Sequence, residues 1–421
     1  MTVKTDRFGN PIIGELPYAR GKILSDTEQD LRKVAKAWRI INSKITQKGP
    51  SAIFNFTGLE RKIVTPSEGE YDPFDDEISP ALYFDKLRSA ALEHLGGDPK
   101  IHDVAVFNRM AAATLAAHLA LVKPGETVVG VSASCSHSTI IRAAKQAGAK
   151  FIDTVGFENF AKVMENESSV SLVALTRLAV TYETLPLDEL HSIINLAKRR
   201  DVVVYMDDAG GARVGPAFFN QPKMLELGID AGSTGLDKYG TQGPRFGLMG
   251  GEKGIVAKIR SKGFELGLEA RPMLYGAIFR SIQSYNPKRV LELIESTKRV
   301  ATELKKRLGS RVTETPVTAQ LLAENVLQIA MEKAKLSTPP IVPYEAAAAL
   351  AMILLEDYGI ITVHFAGLPP GTASILIKFI PPETLNRFGG PERLAAAIDA
   401  SLDRVATVIG NRAELERLLF D

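Results

Sequence analysis

The chain has 421 residues, of which 45% are hydrophobic and 24% charged; these are ordinary proportions for a globular protein, and the length is too great for one simple core. Lys and Arg total 51 against 49 Asp and Glu, and the resulting net charge of +2 gives no electrostatic footprint for nucleic acid. One cysteine, Cys135, excludes an internal disulfide framework and a thiolate metal cluster within one chain, and no run approaches the ~20 apolar residues of a membrane span, so a cytoplasmic, reducing setting is expected.

Residues 1–18 are polar and lack the apolar core of a signal peptide. A helical pattern follows over 26–44, with Leu31, Val34, Ala35, Trp38, Ile41 and Ile45 on one face. Between Phe54 and Pro80 turn residues and acids are interleaved with aromatics, which reads as ordered loop, and the 71–84 stretch is a candidate lid. A helix over 83–95 stops at Gly96-Gly97. Short apolar runs then alternate with amphipathic segments. Strands are expected at 104–107, 127–131, 150–153, 171–175, 202–206, 231–236 and 246–250, and helices at 111–122, 138–146, 159–165, 187–199 and 223–227. Such alternation argues an α/β fold, a mostly parallel seven-stranded sheet sandwiched by helices, with ligands at the carboxyl ends of the strands. A long helix over 275–308 should break near Asn286-Pro287. The remainder reads as a small C-terminal α+β domain, with strands at 325–332, 360–363 and 374–379 and helices at 344–355 and 390–419. The expected organisation is an N-terminal segment 1–80, a large domain 81–285 and a small domain 286–421. Substrate specificity would then lie in loops such as 72–79 and 364–370.

Two segments carry the chemistry. The apolar run Val202-Val203-Val204-Tyr205-Met206 ends in Asp207-Asp208-Ala209-Gly210-Gly211. About thirty residues on, Ser233-Thr234-Gly235-Leu236-Asp237-Lys238 is followed by Gly243-Pro244-Arg245-Phe246-Gly247. An acid and a lysine at neighbouring strand ends suit pyridoxal phosphate, which needs an amine for a Schiff base and a carboxylate to keep its ring nitrogen protonated. A lysine after a strand of small residues has room and a low-dielectric setting in which to lose its proton; otherwise Lys238 is one more surface lysine. Strand alternation sends Asp207 and Asp208 to opposite faces, so only one can serve the ring; Asp207 is favoured and Asp208 is left a structural role.

The phosphate asks for backbone N–H groups at a helix start. Asn108, Arg109, Met110 and Ala111, opening a helix of small residues, offer that, with an ordinary Asn cap as the rival explanation. His137 follows another strand, where its ring is a candidate to stack on the cofactor or a structural histidine. Ser233 and Thr234 are candidate phosphate donors. Arg177, Arg271 and Arg387 are candidate forks for a substrate carboxylate, and sequence does not choose among them. No G-x-x-x-x-G-K-[ST], strand-linked G-x-G-x-x-G, H-E-x-x-H or C-x-x-C motif is present, so nucleotide hydrolysis, nicotinamide chemistry and zinc catalysis lose their usual support, and no metal is expected.

These residues resemble the aspartate-aminotransferase-fold (fold-type I) pyridoxal-phosphate enzymes, and within them the selenocysteine-synthase-like group related to bacterial L-seryl-tRNA selenium transferase. The resemblance spans roughly residues 50–290. Asn55-Phe56-Thr57-Gly58, the 111–118 helix and Met206 to Gly210 carry its general part. Gly235-Leu236-Asp237-Lys238 with Gly243-Pro244-Arg245-Phe246-Gly247 carries the specific one. It implies a Schiff base on Lys238, Asp207 at the pyridinium, His137 stacked on the ring and at least a homodimer with the site at the subunit interface. The implied reaction is at the α or β carbon of a small amino-acid-like substrate: elimination, β-replacement or ammonia loss. An aminotransferase, a tRNA-dependent selenium or sulfur transferase and a catalytically silent binding protein are the alternatives. The sequence departs from the group at Glu269-Ala270-Arg271-Pro272, where the group has an Arg-Ala-Asp-Lys type stretch. The near-zero net charge argues against a tRNA substrate.

Overall fold

The computed structural model describes residues 4–63, 74–363 and 372–421. The expected loop 364–370 and the 71–73 part of the candidate lid lie outside these residues. The chain divides into two compact units, Met1–Leu59 with Glu292–Asp421, and Glu60–Leu291. The contact boundaries thus fall at 59/60 and 291/292, against the sequence-based 80/81 and 285/286, because residues 4–59 pack with the C-terminal part of the chain.

The first unit begins with helix Thr27–Lys48 and the two-residue strand β1 (Phe54–Asn55). The second contains the seven-stranded sheet: β2 (His102–Phe107), β3 (Thr127–Ser132), β4 (Lys150–Val155), β5 (Val170–Thr176), β6 (Val203–Asp207), β7 (Ala231–Gly235) and β8 (Gly247–Glu252). Their spatial order is β2-β8-β7-β6-β5-β3-β4. Only β8 runs against its neighbours; the other pairings are parallel. The alternation of side chains explains why both faces are covered. Val129, Val131, Val173, Leu175, Val204 and Met206 enter one core cluster with Phe160 and Ile193. Val128, Leu172, Ala174, Tyr205 and Ala231 enter another, under Ala113, Ala116 and Ala117 of helix Met110–Leu121. All seven expected strands are present. Helices Gly211–Phe218 and Lys253–Glu265, which the sequence pattern does not announce, are present as well, whereas the helix expected at 223–227 is only the 3-10 turn Leu225–Leu227. The long helix breaks as expected, into Tyr275–Gln283 and Pro287–Leu308.

In the first unit, β9 (Val312–Glu314), β10 (Thr318–Leu321), β11 (Ile360–Ile361) and β12 (Ile375–Lys378) follow. An antiparallel sheet has the order β12-β10-β9, and β11 pairs parallel to β1. The strand expected at 325–332 is instead helix Ala323–Ala334. Val326, Leu327, Ile329, Ala330 and Met331 are all buried, and a short apolar run buried on most sides carries no period that separates helix from strand. The helix expected over 390–419 divides into Pro391–Val408 and Arg412–Phe420, where Asn411 accepts from Ala413 N and Glu414 N and starts the second. No helix among the described residues is long and apolar enough to cross a membrane.

Helix Pro343–Tyr358 is the buried axis of this unit, and a charged network ties the N-terminal helix to it. Asp30 accepts from Arg20 Nη1 at 2.7 Å and from the Tyr344 hydroxyl, and Lys33 Nζ lies 3.7 Å away. Burial pushes Lys33 down to about 8, partly opposed by Asp30. Removing the acid leaves its buried cation uncompensated, which costs about 3–5 kcal/mol, whereas removing Lys33, the more distant cation, leaves Asp30 still paired with Arg20 at 2.7 Å. Asp30→Ala should therefore lower the urea midpoint of this unit far more than Lys33→Met. Equal losses for the two variants would mean that packing, not charge pairing, holds the helix.

Candidate active site

Five strand ends share one edge of the sheet. Asn108 and Arg109 follow β2, the loop to His137 follows β3, Arg177 follows β5, Asp207 ends β6, and Lys238 sits in the turn after β7. The register pairs Thr176 with Asp207 and Asp207 with Ser233, so the acid lies beside the strand that delivers the lysine. This carboxyl edge is where open parallel sheets take their ligands.

Lys238 lies along Gly235, where an added Cβ would stand 3.2 Å from its Cε and 3.3 Å from its Cγ. The side chain keeps 23% of its surface open, and its amine is 3.8 Å from Asp237 Oδ1. The other oxygen of Asp237 accepts from Arg61 Nε at 2.8 Å. Burial lowers the lysine below its ordinary value; Asp237 opposes this, while the positive charges of Arg61, Arg245 and Arg213 add to it. An amine so placed gives up its proton readily.

The two aspartates separate as alternation requires. Asp208 is fully buried in an ion pair with Arg177 (Oδ2 to Nη2 2.7 Å, neither side chain exposed), and Arg177 Nη1 donates to the Pro222 carbonyl at 2.8 Å. Asp207, 5% exposed, has no such cation among the described residues. Burial, then the charge of Asp208, raise it to about 7, against smaller lowering effects of the Ala209 N–H and Lys238. A buried carboxylate in this state lacks a positively charged partner. His137 is partly exposed and caps helix Ser138–Gln146, its Nδ1 accepting from Thr139 N at 3.1 Å. Burial, with Lys238 and Arg142 adding to it, holds the imidazole down to about 4. The ring is therefore neutral at pH 7, with its proton on Nε2.

Helix Met110–Leu121 turns its N-terminus to the same edge. Its first internal bonds run from Ala112 N and Ala113 N to the Arg109 carbonyl, which leaves the Met110 and Ala111 N–H groups pointing out of the helix. Gly247 lets this end approach: a Cβ there would meet the Arg109 carbonyl oxygen at 2.8 Å. Thr114 Oγ1 lies 3.1 Å from Tyr205 Oη, which lies 2.5 Å from Ser233 Oγ, so a buried hydroxyl chain pins the helix to the sheet. Asn108 is spent locally, donating to the Gly267 carbonyl at 3.2 Å.

Several sequence candidates turn out to be committed elsewhere. The Ser233 hydroxyl belongs to the Tyr205 chain, and the Thr234 hydroxyl donates to the Ala209 carbonyl and accepts from Arg213, so neither is a free phosphate donor. Arg177 has no exposed surface to offer a substrate, because pairing with Asp208 occupies it. Arg271 is 74% exposed and 3.8 Å from Asp76. Arg387 lies in the other unit, where it donates to the Ser51 carbonyl and, at 2.8 Å, to the Ile53 carbonyl. Sequence reasoning passed over Arg61, Arg213 and Arg245. Arg245 is lowered to about 10 by burial and by the like charges of Arg61 and Arg109, so these guanidiniums share one field. Arg245 sits in the glycine-proline turn behind the lysine and was legible; Arg61 lay far upstream with nothing local to mark it.

An amine free to lose its proton, a buried acid without a cation, a neutral ring and a basic helix N-terminus are the donor set that pyridoxal phosphate requires, and the residues present fit that group.

No family model matches the chain. A UPF0425 pyridoxal phosphate-dependent protein of Methanothermobacter thermautotrophicus is 30% identical over 354 residues, covering 84% of this chain and 88% of that protein. A protein of the same description from Methanosphaera stadtmanae is 30% identical over 409 residues, covering 94% of this chain and all of that one (100%). Among solved structures, Sphingomonas wittichii serine palmitoyltransferase superposes with a TM-score of 0.55 at 16% identity over 89% of this chain and 84% of that chain. Aspartate aminotransferase from Thermotoga maritima does so at 0.54 and 16%, over 90% and 98%. At such identities these structures speak for the fold, which is the aspartate-aminotransferase-like one expected. By the extent and identity of its match to the curated relatives, the chain belongs to the UPF0425 family of pyridoxal phosphate-dependent proteins.

Proposed function

We propose that the chain holds pyridoxal phosphate covalently through Lys238 and acts at the α or β carbon of an amino-acid-like substrate, by elimination, β-replacement or ammonia loss. The observation that carries this reading is the placement of Lys238 and Asp207 at adjacent strand ends, the amine depressed and the acid raised. When bound, the cofactor supplies an electron sink for a carbanion at the substrate α carbon. Asp207 balances a protonated ring nitrogen, which is the cation its buried carboxylate lacks. His137, neutral and fixed by its cap, presents a flat face. The Met110 and Ala111 N–H groups, with Arg109, receive the phosphate. Lys238 would hold the cofactor and, with its amine free, would accept the α proton of the substrate as general base. Arg61 and Arg245 replace Arg177, Arg271 and Arg387 as the proposed forks for the substrate carboxylate. The net charge of +2 favours a free small molecule over a tRNA-borne one. The Asp237-Lys238 turn with Gly243-Pro244 behind it supports kinship with the selenocysteine-synthase-like group.

The visible absorption spectrum of the purified protein, beside Lys238→Ala and before and after borohydride, tests the reading. A yellow parent protein whose chromophore is reduced onto the Lys238 peptide, with a colourless variant, is expected; amino acids that shift the band then identify the substrate class. A parent that takes up no added pyridoxal phosphate, or takes it up on another lysine, would overturn it.

Asp207 yields a second expectation. Its folded value of about 7 lies above the ordinary 3.8. Between those values the folded cofactor-free chain binds a proton that the unfolded chain has released, so its stability falls as pH rises through the window, by at most about 1.4 kcal/mol per pH unit. Asp207→Asn should flatten that dependence, leave the cofactor-free protein more stable above neutrality and weaken cofactor binding. Thermal melts with and without pyridoxal phosphate check this; a variant that melts like the parent in both forms would contradict the assignment.

A further inference from the structure

Arg213 lies in the first turn of helix Gly211–Phe218, which starts just after the Asp207-Asp208-Ala209-Gly210 loop, and it is fully buried. Its Nη1 donates to Thr234 Oγ1 and to the Gly235 carbonyl, both at 2.9 Å. Thr234 Oγ1 donates onward to the Ala209 carbonyl at 3.1 Å, and Asp208 N donates to the Ser233 carbonyl at 2.9 Å. One guanidinium thereby ties the end of β7, three residues before Lys238, to the loop that follows Asp207. Its Nε and Nη2 have no hydrogen-bond partner among the described residues. The nearby acids are taken, Asp208 by Arg177 and Asp237 by Arg61, so the charge of Arg213 is not neutralised by a paired carboxylate. A buried charge in that condition weakens the fold, and an apolar side chain of similar volume would be cheaper there. Packing alone does not account for an arginine at this position.

We propose that Arg213, which touches neither reacting group, is the positioning residue of Lys238: it fixes the strand end that carries the lysine against the loop that carries Asp207, and it supplies an unneutralised positive charge behind the amine. The consequence is a lysine held below its ordinary value, with Arg213 adding to the effect of burial. The groups facing the amine are Asp237 on its own turn, Asp207 on β6, His137, Arg61, Arg245 and Arg213. Asp237 favours the charged amine, and the three arginines together disfavour it. Those facing Arg213 are Asp208, Asp237 and Tyr285, and its charge also presses on the buried His94.

The inference rests on Lys238 being the cofactor lysine, and one experiment separates the two claims. Full-length cofactor-free protein is mixed with pyridoxal phosphate across a pH series. The C=N bond formed with loss of water is reduced by borohydride, and the rate of adduct formation on the Lys238 peptide is read by mass. The variants are R213M, R213K and T234V. In R213M the midpoint of the rate profile should move to higher pH, and at any pH below it the rate should fall about tenfold for each pH unit the midpoint has moved. R213K, which keeps the charge, should stay near the parent midpoint. T234V, which removes one acceptor but leaves the guanidinium, should do the same. If R213M does not fold, R213Q, which keeps donors without the charge, is read in its place. An R213M or R213Q profile with the parent midpoint, whatever its melting temperature, would reduce Arg213 to a purely structural residue and overturn the inference. A parent protein with no adduct on Lys238 would instead sink the cofactor-lysine reading itself.

Discussion

The site depends on the parallel pairing of β6 with β7. That pairing sets Asp207 opposite Ser233 and so brings a buried carboxylate beside the strand from which Lys238 emerges. Neither residue has unusual chemistry alone. Side by side in low dielectric they are both drawn out of the ordinary protonation range, because burial penalises both charged forms and neither has a full partner. A slip of one residue in the pairing would reverse every side chain of β6 and send Asp207 into the opposite face.

Burial also explains how two adjacent aspartates divide the work. Asp208 points away from Lys238 and is neutralised by Arg177, a pair with no exposed surface on either side. Asp207 points toward the face covered by helix Met110–Leu121 and keeps its charge problem. The protein thus pairs one buried carboxylate internally and leaves the other without a cation among the described residues. The same division recurs among the arginines. Arg177 and Arg213 are buried cations beneath the site, Arg177 paired with Asp208 and Arg213 without a paired carboxylate, while Arg61, Arg109 and Arg245 meet around the Asp237-Lys238 turn, where together with the lysine they outnumber Asp237 and Asp207 and make the pocket attractive to anions.

The large unit was readable because its strands are five to seven residues long, several of them β-branched apolar runs, and alternate with amphipathic helices, a pattern with few competing interpretations. The small unit was readable only in part: helices Thr27–Lys48 and Pro343–Tyr358 and strands β11 and β12 stand where expected, whereas β9, β10 and helix Ala323–Ala334 were not expected. Its strands have two to four residues, and helix Ala323–Ala334 carries Val326-Leu327 and Ile329-Ala330-Met331 as short apolar runs that locally resemble a strand. Helix Gly211–Phe218 escaped notice for a related reason: it has two glycines and a proline, residues that locally argue against a helix, and tertiary packing overrides them. Arg213 was hidden with it.

Strand end, acid, lysine and glycine-rich turn were determined by the sequence itself, since apolar runs must bury and a polar residue that closes such a run must lie at the sheet edge. That Asp207 and Asp208 face opposite ways also followed from alternation, once the strand was placed. Tertiary structure alone decided which side chains are spoken for: that Ser233 and Thr234 are locked into hydrogen bonds, that Arg177 pairs with Asp208, and that Arg61 reaches Asp237 across 176 residues of chain. The physical reason is that hydrogen bonds and ion pairs act over a few ångströms in space, and nothing in the local sequence records who the distant partner will be.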